Sequence, residues 1–278
     1  MAKPRVVNVQ FNNEQIFWGE YANHILAEGD SWFGWAHMNL VPSSNLLEEL
    51  RFEKSTVVVS YAYSGDTITN MADLSSNSAF AEEVRSNQYE AILLSGGGND
   101  LIDALPHIIR PCTPAAPPAT ALECVNEDAL RTLLHDFVLP NYRQIINHRA
   151  ANNLNTKTPV VIHTYDYPTP RDAPATFMGG IPASGPWLWR ALRDAQVPEP
   201  FDQTIADHVF GALRHALKML DNANANVHVV DTSDTIERAV PGAKELSGDW
   251  INEIHPDAHG YALIAARLNQ QLRHLNVQ

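Results

Sequence analysis

HILAEGD, residues His24 to Asp30, is short and apolar and is cut off by Gly29, the pattern of a buried strand that ends in a turn. Four later stretches share this grammar. TVVVSYAYSG (Thr56 to Gly65) is β-branched and aromatic up to its glycine, and YEAILLSGGGND (Tyr89 to Asp100) runs apolar into three glycines. TPVVIHTYDYP (Thr158 to Pro168) and NVHVVDTSD (Asn226 to Asp234) complete five candidate strands. Helical patterns fall between and after them, at Ser78 to Ser86, Asp128 to Asn152, Asp202 to Asp221 and Ala258 to Leu275. In the second of these Leu130, Leu133, Leu134 and Phe137 recur at helical intervals, and Pro140 is expected to kink or divide it.

Strands alternating with helices imply an α/β fold: a three-layer α/β/α sandwich around a five-stranded parallel sheet, flavodoxin-like in strand order. In such sheets ligands bind beyond the carboxyl ends of the strands, where the strand order reverses. The unusual residues of this chain fall just after the candidate strands. At 278 residues the chain reads as one domain, with a loop insertion at about 104–127 and a long irregular stretch at about 166–200.

Composition narrows the partners. With 32 acidic against 19 basic residues the formal net charge is -13, so a phosphate backbone or an anionic membrane surface would be repelled and nucleic acid is not an expected partner. No stretch approaches the ~20 apolar residues needed to cross a bilayer, and MAKPRVVNVQFNNEQ at the start lacks the apolar core of a secretory signal. As written, the chain reads as soluble and cytoplasmic. Its two cysteines, Cys112 and Cys124, bracket CTPAAPPATALEC, which reads as a loop. Either a disulfide closes that loop or two free thiols stand there. A bridge would add roughly 3 kcal/mol and point to a periplasmic or secreted setting. Two cysteines make a poor zinc site.

Four segments carry chemistry. Gly29-Asp30-Ser31-Trp32 is a turn that lets a serine hydroxyl leave the sheet edge, although a serine there also serves as a helix N-cap. Ser64-Gly65-Asp66 offers a backbone N–H unshielded by a Cβ. Gly96-Gly97-Gly98 delivers the Asn99 amide, a neutral donor suited to a developing oxyanion. Phosphate binding is the weaker reading of these glycines, because neither a Walker lysine nor a G-x-G-x-x-G pattern follows the strand. Near the end, Pro256 favours an extended His255 on a loop, where an imidazole can act as general base.

Taken together, Ser31 in GDSW, Gly65 in YSGD, Asn99 in GGND and His255 in IHPDAHGY resemble, in identity and chain order, the signature residues of the SGNH/GDSL hydrolases. The resemblance extends from Gly29 to the last helix. It implies that Ser31 attacks an ester carbonyl while His255 takes its proton, with Ser31 N–H, Gly65 N–H and the Asn99 amide around the oxyanion. The chain departs from the family three residues before the histidine, where Asn252 stands in place of aspartate. Asn252 is the positional equivalent, Asp249 and Glu253 are substitutes along the chain, and a plain Ser-His dyad stays open. His259 is set aside because Pro256 precedes it by three residues. Trp32, Tyr165, Tyr167 and Trp187 are candidate walls of a substrate pocket, with Trp187 alternatively an anchor of the long stretch.

The resulting expectation is a carboxylic ester hydrolase of esterase or lipase type, without metal or organic cofactor, acting on a small-molecule or lipid-like ester. Carbohydrate O-acetyl esterase, thioesterase and lysophospholipase activities are the enzymatic alternatives. A catalytically weak binding module on the same fold, suggested by the missing aspartate, and a flavodoxin-like cofactor binder are the others.

Overall fold

The computed structural model describes residues 1–11, 15–34, 44–73, 75, 77–150, 154–177 and 181–278. The chain opens with β1 (Arg5–Asn8), β2 (Asn23–Gly29), α1 (Ser31–Gly34), β3 (Thr56–Ser60), α2 (Ile68–Ala72), α3 (Ser78–Ser86), β4 (Ala91–Ser95) and α4 (Gly98–Ile108). It continues through α5 (Glu127–Thr132), α6 (Leu139–His148), β5 (Val160–His163), β6 (Ala175–Phe177), β7 (Ile181–Ser184), α7 (Leu188–Asp194), α8 (Asp202–Lys218), β8 (Val227–Val230) and α9 (Ala258–His274).

All five expected strands form, and they lie in the order β3-β2-β4-β5-β8, which is the flavodoxin-like arrangement. The sheet nevertheless has six strands, because β1 adds to the edge beside β3. Only Val6 and Val7 are apolar in β1, flanked by Arg5 and Asn8, so too little of it alternates or runs apolar to register as a strand. Every neighbouring pair in this sheet is parallel. β3 and β4 are buried at all five positions, as strands covered on both faces must be, which is why their sequences read as unbroken apolar runs.

Two expectations need correction. The stretch from 166 to 200 is not irregular throughout: β6 and β7 form an antiparallel hairpin and α7 follows. These elements are too short to show a period. The insertion begins later than 104, since α4 runs through Pro106 to Ile108 and only then gives way to irregular chain with a 3-10 turn at Ala121–Cys124. The helix from Asp128 is divided as expected, but at Leu133–Val138, where α5 passes through a π-helical stretch into α6, and Pro140 falls in the first turn of α6. Residues 151, 152, 178, 179 and 180 of the expected segments lie outside the described residues.

Cys112 and Cys124 are free thiols, both buried, with their Sγ atoms 3.2 Å apart. No helix among the described residues is long and apolar enough to cross a membrane.

Gly29 closes β2 opposite Ser95 of β4. A Cβ there would lie 2.8 Å from the Ser95 Cβ, 2.9 Å from Phe33 Cδ2 and 3.0 Å from the Ser95 carbonyl oxygen. Two of these neighbours are fixed to the sheet backbone, so Gly29→Ala must push β2 and β4 apart where they deliver the site. It is expected to destabilise by about 1–3 kcal/mol, read as a lower urea midpoint at unchanged m-value.

Candidate active site

Ser31 opens α1 directly after β2, at the point where the chain turns first to β3 on one side and later to β4 on the other. Asp30 fixes the turn. Its Oδ1 accepts the Trp32 N–H at 3.0 Å and the Ser95 hydroxyl at 2.9 Å, and its Oδ2 accepts the Tyr165 phenol. Burial raises the Asp30 carboxyl, and the Tyr165 bond partly counters that. Beneath it, His163 Nε2 meets Ser95 Oγ at 2.9 Å and its Nδ1 meets the Thr164 carbonyl at 2.7 Å. Asp30, Ser95 and His163 are all buried, and this Ser-His-Asp cluster supports the turn that carries Ser31 from below.

Above the sheet, His255 Nε2 lies 2.8 Å from Ser31 Oγ, and His255 Nδ1 lies 3.0 Å from Asn252 Oδ1. The proton inventory fixes the directions. Asn252 Oδ1 also accepts the backbone N–H groups of Ile254 at 3.1 Å and His255 at 2.9 Å, so that atom is the amide oxygen. Nδ1 must therefore carry the imidazole hydrogen, and Nε2 is left bare to accept the Ser31 hydroxyl proton. Burial pushes His255 down to about 3, so the ring is neutral throughout the physiological range.

The two substitutes for Asn252 are otherwise engaged. Asp249 accepts the Glu237 N–H at 2.7 Å and pairs with His259 Nδ1 at 2.8 Å. Glu253 turns away from the imidazole toward the N–H groups of Arg171, Trp187, Leu188 and Trp189, and burial pushes it up to about 7.

The third group is the Asn99 amide, in the first turn of α4, whose Nδ2 donates to the Asp66 carbonyl at 2.8 Å. This ties it to the turn that carries Gly65, whose φ of 88° is a conformation open mainly to glycine. Asp100 reinforces the tie by accepting the Ile68 N–H at 2.8 Å and the Thr69 hydroxyl at 3.2 Å. Among the described residues no acceptor pairs with the backbone N–H of Ser31 or of Gly65.

Ser31 and Asn99 share a narrow cleft whose walls include Trp32, Tyr165, Ile102, Phe210 and Ile254. Trp32 is anchored by its indole N–H to the Ile254 carbonyl at 3.2 Å. Tyr167 is not among the lining residues; the Arg238 guanidinium lies over its ring, 5.1 Å from the centroid. Trp187 is also absent from the lining and meets the His255 ring edge-on at 5.7 Å. Sequence reasoning missed Arg171, which is fully buried and donates to the carbonyls of Trp250 at 3.1 Å and Asn252 at 2.7 Å, bracing the histidine loop. It stands in the Pro-rich YDYPTPRDAP stretch, where no periodicity marks a residue as internal.

The comparisons place the fold. A possible lipase from Chitinophaga pinensis superposes with a TM-score of 0.54 at 14% identity, over 92% of this chain and 100% of that one. A protein of Slackia heliotrinireducens assigned to the SGNH hydrolases matches 90% of this chain and 99% of that one, with a TM-score of 0.44 and 14% identity. The structure of TesA matches 91% and 99%, with a TM-score of 0.46 and 12% identity. Other neighbours are described as a lipase/acylhydrolase and as acetyl esterases. The chain thus shares the overall fold of the first of these structures. No protein-family model matches the chain, and no curated protein matches it.

Two buried neutral imidazoles make stability depend on acid. Burial pushes His163 down to about 4 and His255 to about 3, whereas the unfolded rings protonate near 6.5. Below pH 6.5 the unfolded chain therefore takes up protons that the folded one refuses, and stability falls as pH falls toward 4. Between about pH 6 and 4, His255→Gln should reduce the slope of unfolding free energy by up to about 1.4 kcal/mol per pH unit, measured by urea titration at each pH.

Proposed function

We propose that the protein is a serine hydrolase that cleaves carboxylic esters through an acyl-enzyme intermediate. The observation that carries this reading is the directed line from the Ser31 hydroxyl through a neutral His255 to Asn252, at the end of β2. As the Ser31 oxygen adds to the carbonyl, its proton passes to Nε2. The resulting imidazolium keeps its Nδ1–H on Asn252 and returns the new proton to the leaving alcohol. The unclaimed N–H groups of Ser31 and Gly65 and the Asn99 amide supply the oxyanion donors, each worth on the order of 3 kcal/mol. Water then repeats the addition at the acyl carbon with His255 again as base. A short acyl group suits the narrow cleft between Trp32, Tyr165 and Ile254.

The test is hydrolysis of p-nitrophenyl acetate, butyrate and octanoate by the intact protein and by Ser31→Ala. The two shorter esters should turn over faster than the octanoate, and Ser31→Ala should abolish turnover of all three while leaving the melting temperature nearly unchanged. Appreciable activity in that variant rules the reading out; no turnover by the intact protein on any ester favours a binding module.

Asn252 also sets the pH profile. A neutral acceptor leaves the buried ring reluctant to charge, so kcat/KM should stay flat down to about pH 5, below the usual imidazole midpoint. In Asn252→Asp a carboxylate would stabilise the imidazolium, and the acid limb should move to higher pH while kcat is retained or raised. A large fall in kcat would argue against Asn252 as the orienting group.

A further inference from the structure

We propose that Glu253 is a positioning residue for the hydrolysis: its carboxylate clamps the Trp187 segment onto the histidine loop, so that the indole edge holds the His255 ring in line with Ser31. The inference rests on the ester-hydrolase reading of the same site and assigns a task to a side chain that the reaction itself does not use.

The clamp is made of many bonds converging on one fully buried group. Glu253 Oε1 accepts the N–H groups of Arg171 at 3.2 Å and Trp189 at 2.7 Å, while Oε2 accepts those of Trp187 and of Leu188 at 3.0 Å. Three of these donors are consecutive and form the start of α7, which has no cap from its own N-cap residue. A buried carboxylate is costly, and four backbone donors are what make it tolerable. Its backbone is tied down as well, its N–H donating to the Ala173 carbonyl at 3.0 Å. One residue earlier, the Asn252 carbonyl is gripped by Arg171. Glu253 thus joins two segments: the loop bearing Asn252 and His255, and the turn bearing Trp187.

What the junction fixes is the contact between Trp187 and His255, whose ring centroids are 5.7 Å apart at 75°. In a Ser-His-Asp triad a charged acceptor restrains the ring strongly. Here the acceptor is a neutral amide, and a neutral hydrogen bond is roughly half as strong as a charge-assisted one. Packing must supply more of the restraint, and the Trp187 indole meets the His255 ring edge-on. A carboxamide cannot replace Glu253, because it offers one oxygen where two each receive a pair of N–H groups.

The experiment compares the wild type, Glu253→Gln, Asn252→Asp and the double variant by p-nitrophenyl butyrate kinetics, with a serine-directed fluorophosphonate counting competent sites. Glu253→Gln should lower kcat per competent site on the order of 10- to 100-fold, with KM changed by less than about threefold. Asn252→Asp should then raise kcat by a clearly larger factor in the Glu253→Gln background than alone, because a charged acceptor replaces the lost packing restraint. A merely structural role predicts fewer competent sites of normal kcat. That result, an unchanged kcat, or an equal Asn252→Asp factor in both backgrounds overturns the proposal. If Glu253→Gln does not fold, Trp187→Ala, which leaves the carboxylate in place, must show the same kcat loss and the same enlarged Asn252→Asp factor; failure of either overturns it. Loss of the underlying reading is distinct: Ser31→Ala would then turn over normally and the wild type would take up no phosphonate.

Discussion

The register of β2 against β4, with Gly29 level with Ser95, is the constraint from which the site follows. It brings the two strand ends to one height, so that the turn carrying Ser31 and the turn carrying Asn99 open onto the same cleft. The glycine permits the approach by lacking a side chain, and the Ser95 hydroxyl turns the closeness to use by bonding to Asp30. From there Asp30 reaches Trp32 and Tyr165, so one buried carboxyl sets both the turn that carries Ser31 and a wall of the cleft. A slip of one residue between these strands would reverse every side chain and dissolve the arrangement.

The histidine side of the site is organised differently. No strand carries it; a loop between β8 and α9 does, and loops keep their shape only when their polar groups are matched. Here the matching comes from buried polar and charged side chains turned to backbone. Arg171 takes carbonyls of the loop, Glu253 takes N–H groups of the facing turn, and Asn252 takes two N–H groups of its own segment along with the imidazole. The same groups would be expensive if unpaired, which links the rigidity of the loop to its chemistry.

Much of the sheet was legible because strands buried on both faces need uninterrupted apolar residues, and AILLS and TVVVS have no other reading in an alternating chain. β1 escaped because an edge strand of four residues, with only its last two buried, asks little of its sequence. The turns after β2, β3 and β4 announced themselves through glycine, and the order Ser, Gly, Asn, His did the rest. What sequence could not supply was the direction of side chains on loops: whether Asp249 or Glu253 faced the imidazole depended on where Glu237, His259 and the start of α7 would lie. Nor could it show that Tyr167 meets Arg238 outside the cleft, because spacing along an irregular segment carries no information about facing.

Ser31 and His255 are separated by 224 positions and meet only through the finished sheet. A single peptide cleavage between them would divide the hydrogen-bonded pair between two fragments, neither holding both members. On the reading advanced above, turnover then counts whole, correctly assembled molecules, and a split chain would regain it only as its halves rebuilt the common sheet.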